Sequence, residues 1–273
     1  MRPALASAIV NGLLVGLALV SLFPLLWMVS VSFMHPGEAS TLPPPLIPAS
    51  PTLANYRELF MRGGMTRYVL NSFFLATAVT LVSLLFNAMA GYAFAKLQFA
   101  GQQRLFKLLI ATLIIPGQVA MMPLFLLLKH MGLVNSYGAI IVPAMASIFG
   151  IFLVRQYALS IPDDILEAAR IDGAGELRIF FSIIVPLLAP ILASLALFTF
   201  LGSWNDFMWP LIVLSDAHLQ TLPVALASLS REHAQDGELM MAGSVVTVLP
   251  VLLLFLALQK YYIRGLLVGS VKG

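Results

Sequence analysis

The chain has 273 residues, of which 60% are hydrophobic and only 10% are charged. Because an average soluble domain is about half apolar and about a quarter charged, this composition excludes a soluble globular enzyme and a disordered chain. The absence of cysteine excludes a disulfide scaffold. The formal net charge of +3 comes from Lys and Arg beside apolar runs rather than from a basic stripe, so we expect no nucleic-acid partner.

Six charge-free stretches are each long enough to cross a bilayer, which takes roughly 20 apolar residues in a helix. They lack the period-two alternation of outer-membrane strands and are longer than such strands need to be. The first stretch follows Arg2 and runs from Ala4 to Met34, which is too long for a signal peptide, so we expect it to be retained. The sequence therefore predicts an all-α membrane protein with one transmembrane domain over residues 1–273. The predicted spans cover residues 9–33, 69–95, 106–128, 138–158, 187–212 and 239–260.

The distribution of Lys and Arg predicts the orientation, since cytoplasmic segments of membrane proteins carry more of these residues. With the N terminus inside, ten of the fifteen basic residues lie on the cytoplasmic side, and reversing the chain leaves only five there. The ten are Arg2, Lys96, Arg104, Lys107, Arg155, Arg170, Arg178, Lys260, Arg264 and Lys272. We therefore expect both termini in the cytoplasm.

The connections between the spans differ in character. Residues 35–67 form a long proline-rich outer segment, for which we expect irregular backbone and a short helix near Asn55 to Phe60. The hairpin between the third and fourth spans should turn around Gly132 to Gly138. Eight prolines lie in or beside spans, where each removes a backbone donor and bends the helix. They are Pro24, Pro116, Pro123, Pro143, Pro186, Pro190, Pro210 and Pro250.

Residues 159–186, which we call the charged loop, carry the densest charge in the chain. Ser160 can cap a helix that tolerates Pro162 in its first turn, and the two aspartates that follow suit the positive end of the helix dipole. Gly173 is a natural stop, because glycine accepts a positive φ just past the last helical residue. We expect a helix of about a dozen residues, too short and too charged to span a membrane.

One face of this short helix is apolar. The residues that can share that face are Ile165, Leu166, Ala169 and Ile171, while Asp163, Glu167 and Arg170 lie elsewhere. An exposed amphipathic helix of this kind can dock in a groove of a soluble partner, or it can lie on the lipid headgroups. On the pattern alone, both interpretations stay open.

Several separated motifs run along the chain in a fixed order. Within and just after the charged loop they are Glu167-Ala168-Ala169, Asp172-Gly173-Ala174, Phe180, Ile183, Pro186 and Pro190. Elsewhere they are Asn71-Ser72, Gly91-Tyr92-Ala93-Phe94-Ala95, Trp204-Asn205-Asp206-Phe207, Thr221-Leu222-Pro223-Val224 and Gly269-Ser270-Val271-Lys272-Gly273. Together these motifs resemble bacterial ABC-importer permeases with their EAA loop, in particular the carbohydrate-uptake branch of the second maltose-permease subunit. Val185 departs from the pattern, since leucine is usual before that proline.

The resemblance implies the type I ABC-importer permease fold in the bacterial inner membrane, and the import of a sugar or oligosaccharide. The implied partners are a second permease subunit, a dimer of ATP-binding subunits and an extracytoplasmic solute-binding protein, besides membrane lipid. The charged loop would hold a coupling helix that sits in the ATPase, with Gly173 as the bend between two short helices. The coupling residues would be Glu167, Ala168, Ala169, Asp172, Gly173 and Ala174. A role for Glu167 in helix solubility alone stays the alternative.

No sequence for binding ATP occurs in the chain, because the pattern Gly-x-x-x-x-Gly-Lys-Ser/Thr is absent. We therefore expect the partner subunits to bind ATP, and no cofactor on this chain. No metal-ligand spacing of His or Cys occurs, and all four histidines fall in or near predicted outer loops, where we expect solvated side chains. Polar groups do not converge at one depth, so we expect no enzymatic activity.

The end of the fifth predicted span places an acid, Asp206, in apolar sequence beside Trp204 and Asn205. An acid there is costly unless it faces water or a partner. On a translocation path, Asn205 and Asp206 can hydrogen-bond sugar hydroxyls, and Trp204 can stack on a sugar face. The alternative is an interfacial belt, in which Trp204 lies at the headgroups and Asp206 only marks the end of the span.

Three rival functions stay open from the sequence. A permease of the same type can carry a non-sugar solute such as a glycerol-phosphate compound, against which the sparse basic charge on the presumed path argues. A secondary transporter usually needs buried acids or histidines for ion coupling, and only Asp206 is available. A polytopic membrane enzyme would act without partners.

Overall fold

The computed structural model describes residues 2–61, 63–232 and 236–268; the tail motif at 269–273, Arg62 and His233 lie outside these ranges. The regular structure within them is helical, without strands, which confirms the predicted all-α class. The α-helices are α1 (Arg2–Ser32), α2 (Ala54–Met61), α3 (Met65–Lys96), α4 (Gln102–Thr112), α5 (Gly117–His130), α6 (Gly138–Ala144), α7 (Ile148–Ala158), α8 (Asp163–Ile171), α9 (Glu176–Ile179), α10 (Val185–Leu187), α11 (Ala189–Trp204), α12 (Met208–Val213), α13 (Leu222–Glu232) and α14 (Gly237–Val268). A π-helix, Phe180–Ile184, joins α9 to α10.

Four helical stretches in the described ranges are long and apolar enough to cross a membrane: Ile9–Ser32, Met65–Lys96, Gly138–Ala158 (α6 together with α7) and Gly237–Leu256. Two bent pairs each add a span if the pair is counted as one: α4 with α5, and Glu176–Leu187 with α11. The structure thus holds four to six candidate spans, and the count of six stays a prediction. Leu13, Leu17 and Val20 of α1 are 69%, 71% and 74% exposed, an apolar surface that needs lipid or another chain to cover it.

The third predicted span, residues 106–128, is not one continuous helix. Its two parts, α4 and α5, meet at an angle of 106°. Pro116 occupies the N-cap position of α5, where it removes the backbone donor that a continuous helix needs. The fifth predicted span, residues 187–212, is also interrupted, because its long helix ends at Trp204 and α12 begins only at Met208.

The chain divides into two compact units, residues 1–67 with 222–252, and residues 68–221 with 253–273. In the first unit, the buried side-chain amide of Asn55 donates to the carbonyl oxygens of Ser32 (3.1 Å) and Met34 (2.9 Å). These bonds fix α2 against the end of α1. The position of α2 confirms the short helix predicted near Asn55 to Phe60.

Two carboxylates brace the long segment that follows α1. Glu238, buried in the first turn of α14, accepts the backbone N–H of Ala39 at 2.7 Å. Glu38 accepts the backbone N–H groups of Ala49 (2.7 Å) and His35 (3.0 Å), and these bonds lower the pKa of Glu38 because they favour its charged form. Apart from a 3-10 turn at Glu38–Ser40, the part of the segment before α2 is therefore held by these hydrogen bonds.

Two hydrophobic clusters form the core of the second unit, and α3 contributes to both. One cluster joins the C-terminal part of α3 to α7 and to the charged loop, through residues such as Tyr92, Val154 and Leu166. The other joins an earlier part of α3 to α5, α6 and α12, through residues such as Val79 and Trp209. α3 therefore connects the charged loop with the opposite part of this unit.

Gly91 lets α3 approach α7 closely, so Gly91→Ala should destabilise the protein. A Cβ at position 91 would lie 2.5 Å from Cγ1 of Val154 and 3.0 Å from the backbone nitrogen of Arg155. Because a backbone atom cannot move away as a side chain can, we expect the free energy of unfolding to fall by about 1–3 kcal/mol. The measurement is the Tm of the detergent-purified protein, which should be lower. Gly202→Ala is the control, because no atom lies within 4 Å of its added Cβ. Equal Tm values for the two variants would contradict this packing.

Candidate functional site

The first half of the charged loop forms α8, which at nine residues is shorter than the predicted helix. The predicted cap is wrong: the Ser160 hydroxyl donates to the carbonyl oxygen of Tyr157 at 2.7 Å, and Pro162 stands at the N-cap. Ser160 thus closes the end of α7 instead, because a carbonyl lies within reach one turn back. Asp163 and Asp164 occupy the first turn of α8, where their negative charges interact favourably with the positive end of the helix dipole.

The charged loop turns sharply after α8. Gly173 has a φ of +82°, in the left-handed region that glycine adopts without strain. The backbone N–H groups of Gly173 and Ala174 donate to the carbonyl oxygens of Arg170 and Ala169, which closes the helix end. The next helix, α9, begins at Glu176. The predicted bend between two short helices is confirmed.

The apolar face of α8 packs against the protein itself. Leu166 is only 1% exposed, and Ala169 and Ala174 pack against the same cluster. Ile165 lies at the edge of this face and is 40% exposed. The packing of Leu166 and Ala169 accounts for the amphipathic pattern of the helix without any contact to lipid headgroups.

The opposite side of the charged loop is open. Its exposed residues include four of the six predicted coupling residues, namely Glu167, Ala168, Asp172 and Gly173. Two large apolar side chains project beside these charges, Ile171 at 86% and Leu177 at 67% exposure. The prediction that Ile171 shares the packed face of Leu166 is therefore wrong, because Ile171 is the last residue of α8 and points away from the core. Charged and bare apolar groups side by side on a short helix–turn–helix are typical of a surface that a protein partner covers.

Lys96, the last residue of α3, holds the start of α8. Its Nζ donates to Oδ1 of Asp163 and to the carbonyl oxygen of Ile161, each at 2.6 Å. The Lys96 side chain is nearly buried, whereas that of Asp163 is largely exposed. These bonds stabilise the folded protein, since a buried ammonium group that loses its partners is energetically costly.

Tyr92 lies one turn before Lys96 on the same face of α3 and holds the second half of the charged loop. Its hydroxyl donates to Oε2 of Glu176 at 2.8 Å, and Oε1 of Glu176 accepts Nε–H of Arg170 at 2.8 Å. The hydrogen bond that Arg170 donates to Glu176 raises the pKa of Arg170, because it favours the charged guanidinium. Sequence analysis missed both of these contacts, although it singled out the motif that contains Tyr92.

A cavity of about 690 Å³ opens between α3, α5, α6 and α11, which is within the size range of small-ligand sites. Most of its lining is apolar. The polar residues among those described are Ser83, Gln118, Ser147, Thr199, Ser203 and Asp206. Asp206 is thus the one ionisable side chain in the described lining, and no group of three His, Asp or Glu residues in the described ranges is placed to hold a metal ion.

The structure separates the three predicted path residues. Asp206 lines the cavity, and its Oδ1 accepts the backbone N–H of Trp209 at 3.3 Å, which caps α12. Trp204 is 1% exposed and stacks on Phe200 with ring centroids 6.0 Å apart, so its indole leaves no face open to a sugar. Asn205 is exposed, but its amide donates to a carbonyl one turn back in α11.

Asn87 of α3 fixes one wall of the cavity. This fully buried side chain accepts the backbone N–H of Ser147 at 2.9 Å and donates to Oγ of Ser83 at 2.8 Å. Both serines line the cavity. Sequence analysis missed Asn87; the available signal was an amide in the middle of a charge-free span, where an unpaired polar group is costly.

Residues 87–268 match a family described as binding-protein-dependent transport system inner membrane component. The chain is 40% identical over 260 residues to the arabinooligosaccharides transport system permease protein AraQ of Halalkalibacterium halodurans, covering 94% of this chain and 93% of that protein. It is 34% identical over 262 residues to the sn-glycerol-3-phosphate transport system permease protein UgpE of Pectobacterium atrosepticum, covering 93% of each.

Among solved structures, the chain is similar to a chain of a bacterial ABC transporter involved in the import of the acidic polysaccharide alginate. The TM-score is 0.85 at 24% identity, over 96% of this chain and 98% of the other. This likeness shows a shared fold. The residues matched by the family include the whole charged loop, Asn87 and Asp206.

Proposed function

The chain belongs to the family of binding-protein-dependent transport system inner membrane components, which are transporters rather than enzymes, and on that premise we propose that it forms half of an ATP-driven import path for a sugar or oligosaccharide. A second permease subunit supplies the other half of the path, and an extracytoplasmic binding protein delivers the cargo. A dimer of ATP-binding subunits drives transport from the cytoplasmic side. ATP is bound there, and this chain needs no cofactor of its own.

The lining of the cavity is the observation that supports a neutral cargo. Its polar groups are hydroxyls, one amide and the Asp206 carboxylate, with no cation among the described residues. Such groups exchange hydrogen bonds with sugar hydroxyls, whereas a phosphate or a uronate would face a carboxylate without a counter-charge. We therefore favour a neutral oligosaccharide, as the name of the AraQ relative suggests, over the glycerol phosphate of the UgpE relative.

The charged loop supplies the contact with the ATPase. Glu167, Ala168, Asp172 and Gly173 face the partner from the exposed side of the loop, and Ala169 and Ala174 shape it from the packed side. ATP binding closes the ATPase dimer and moves the loop, which shifts the permease between inward-facing and outward-facing arrangements. The ATPase thus supplies the bias between two existing states, and this chain does no covalent chemistry.

The proposed membrane arrangement has six spans in a single domain, with both termini and the charged loop in the cytoplasm. The excess of Lys and Arg in the inner segments supports this orientation. Lipid or the second permease covers the exposed apolar side chains of α1. The segments around residues 35–67 and 213–238 then face the binding protein.

A cargo panel in proteoliposomes tests this function. The complete complex, with its own binding protein, is given an arabino-oligosaccharide, glycerol 3-phosphate or an alginate oligosaccharide, and uptake and ATP hydrolysis are measured. We expect uptake and stimulated hydrolysis with the neutral sugar, because the lining suits uncharged hydroxyls. Uptake of glycerol 3-phosphate without uptake of the sugar would overturn the proposed cargo, and uptake that needs no ATP would overturn the proposed mechanism.

A further inference from the structure

We propose that Tyr92 and Lys96 are positioning residues, which fasten the charged loop to the C-terminal end of α3 so that movement of the loop passes along α3 to the cavity wall. The proposal rests on the proposed role of the charged loop as the ATPase contact. It adds a route through which that contact reaches the cargo.

The two attachments hold the loop on both sides of its bend. Lys96 bonds Asp163 and Ile161 before Gly173, and Tyr92 bonds Glu176 after it. A glycine in the left-handed region is a point at which two short helices can change their angle, so each attachment holds one half of the loop, and the Arg170–Glu176 pair joins the two halves. With both in place, α8 and α9 move together with α3.

α3 continues from these attachments to the cavity. Ser83, which lines the cavity, lies nine residues before Tyr92 in the same helix, and at 1.5 Å per residue this separates the two by about 13 Å along the axis. Between them Asn87 accepts the backbone N–H of Ser147, another residue of the cavity lining. The close approach of Gly91 to Val154 keeps α3 in register with α7. A displacement at Tyr92 therefore reaches the cavity through one unbroken helix.

The alternative route follows the chain itself. It runs from α9 through the π-helix Phe180–Ile184 and α10 into α11, and the chain bends by 79° between Glu176–Leu187 and α11. A π-helix and a sharp bend are less stiff than a continuous helix, so we expect this route to carry less of the movement.

The test uses the complete complex and paired substitutions. Tyr92→Phe removes one hydroxyl and keeps the ring contact with Phe180, whose centroid lies 5.7 Å away. Lys96→Met removes the charge and keeps the length of the side chain. Tyr157→Phe and Lys107→Met are the matched controls, because neither the Tyr157 hydroxyl nor the Lys107 ammonium forms a hydrogen bond or ion pair within the described residues.

We expect the ATP hydrolysed per sugar imported to rise roughly three- to tenfold in Tyr92→Phe and Lys96→Met, and further in the double variant, because each loses a hydrogen bond to a charged group. The ATPase should still co-purify and keep its basal rate. The chain has no cysteine, so spin labels at Gln98→Cys and Asp164→Cys report the distance between the end of α3 and the loop. The distribution of this distance should be narrow in the wild type throughout the ATP cycle and broad in the variants.

Two results would overturn the proposal, and a third would overturn the proposed function on which it rests. If both variants match Tyr157→Phe and Lys107→Met in coupling ratio and in label distances, the attachments have no positioning role and the proposal fails. If the variants lose the ATPase altogether, the contacts serve docking instead, which also overturns it. A wild-type complex without ATP-driven uptake would refute the proposed function itself.

Discussion

Replacing Gly173 with valine should reduce cargo-stimulated ATP hydrolysis by the complete complex by roughly tenfold, since a left-handed backbone costs a non-glycine residue about 1–2 kcal/mol and each 1.4 kcal/mol is a factor of ten. Gly173 has a φ of +82°, and a β-branched residue relieves the strain by changing the angle between α8 and α9. That change moves Glu167 and Asp172 out of their common surface. The measurement is ATP hydrolysis in proteoliposomes with and without loaded binding protein.

Gly175→Val is the matched control, two residues further along the same loop. Gly175 has a φ of −72° and a ψ of 158°, an extended conformation that valine favours, and no atom lies within 4 Å of an added Cβ. We expect this variant to keep its stimulated hydrolysis. Equal stimulation in Gly173→Val and Gly175→Val would show that the turn geometry does not matter for coupling.

Replacing Asp206 with alanine should reduce sugar uptake at sub-saturating cargo by roughly ten- to a hundredfold, because a hydrogen bond to a charged group contributes about 1.5–3 kcal/mol. Asp206 is the one ionisable group in the described lining, so no other carboxylate there replaces it. Asp206 also caps α12 through the backbone of Trp209. Asp206→Asn keeps a capping oxygen and removes only the charge, so it separates loss of cargo binding from loss of the cap.

Asn205→Ala is the control for Asp206, since Asn205 is adjacent in sequence but does not line the cavity. Its amide serves only the end of α11, and we expect uptake close to that of the wild type. Wild-type uptake by both Asp206→Ala and Asp206→Asn would remove this carboxylate from the path and leave it only its hydrogen bond to the start of α12.

The features that could be predicted from sequence are those fixed by composition and by local backbone chemistry. A chain this apolar has to bury its surface in lipid, and helices are the simplest way to satisfy the backbone there. Gly173 was predictable because a positive φ after a short helix is nearly specific to glycine. The role of Ser160 was not predictable, since a serine between two helices can cap the second helix or bond back to a carbonyl of the first, and here its hydroxyl donates to the carbonyl oxygen of Tyr157.

The remaining features depend on which helices pack together. Lys96 and Asp163 are 67 residues apart, and Tyr92 and Glu176 are 84 apart, so no local pattern pairs them. Trp204 illustrates the same problem, because a Trp at the end of a span suits a headgroup belt, a sugar platform or a buried stack equally well. Packing against Phe200 decides between them.

Cross-linking from a single cysteine at position 168 tests most directly whether the charged loop contacts the ATPase. Ala168 is exposed on the loop, and Ala168→Cys introduces a unique thiol into a chain that has none. In the complete complex, a short bifunctional reagent should join this thiol to the ATP-binding subunit, and the yield should change with ATP. Leu42→Cys, at a position 96% exposed in the 35–67 segment, should give no such product. Labelling of the thiol in Ala168→Cys without any link to the ATPase, in a complex that still transports, would contradict the account.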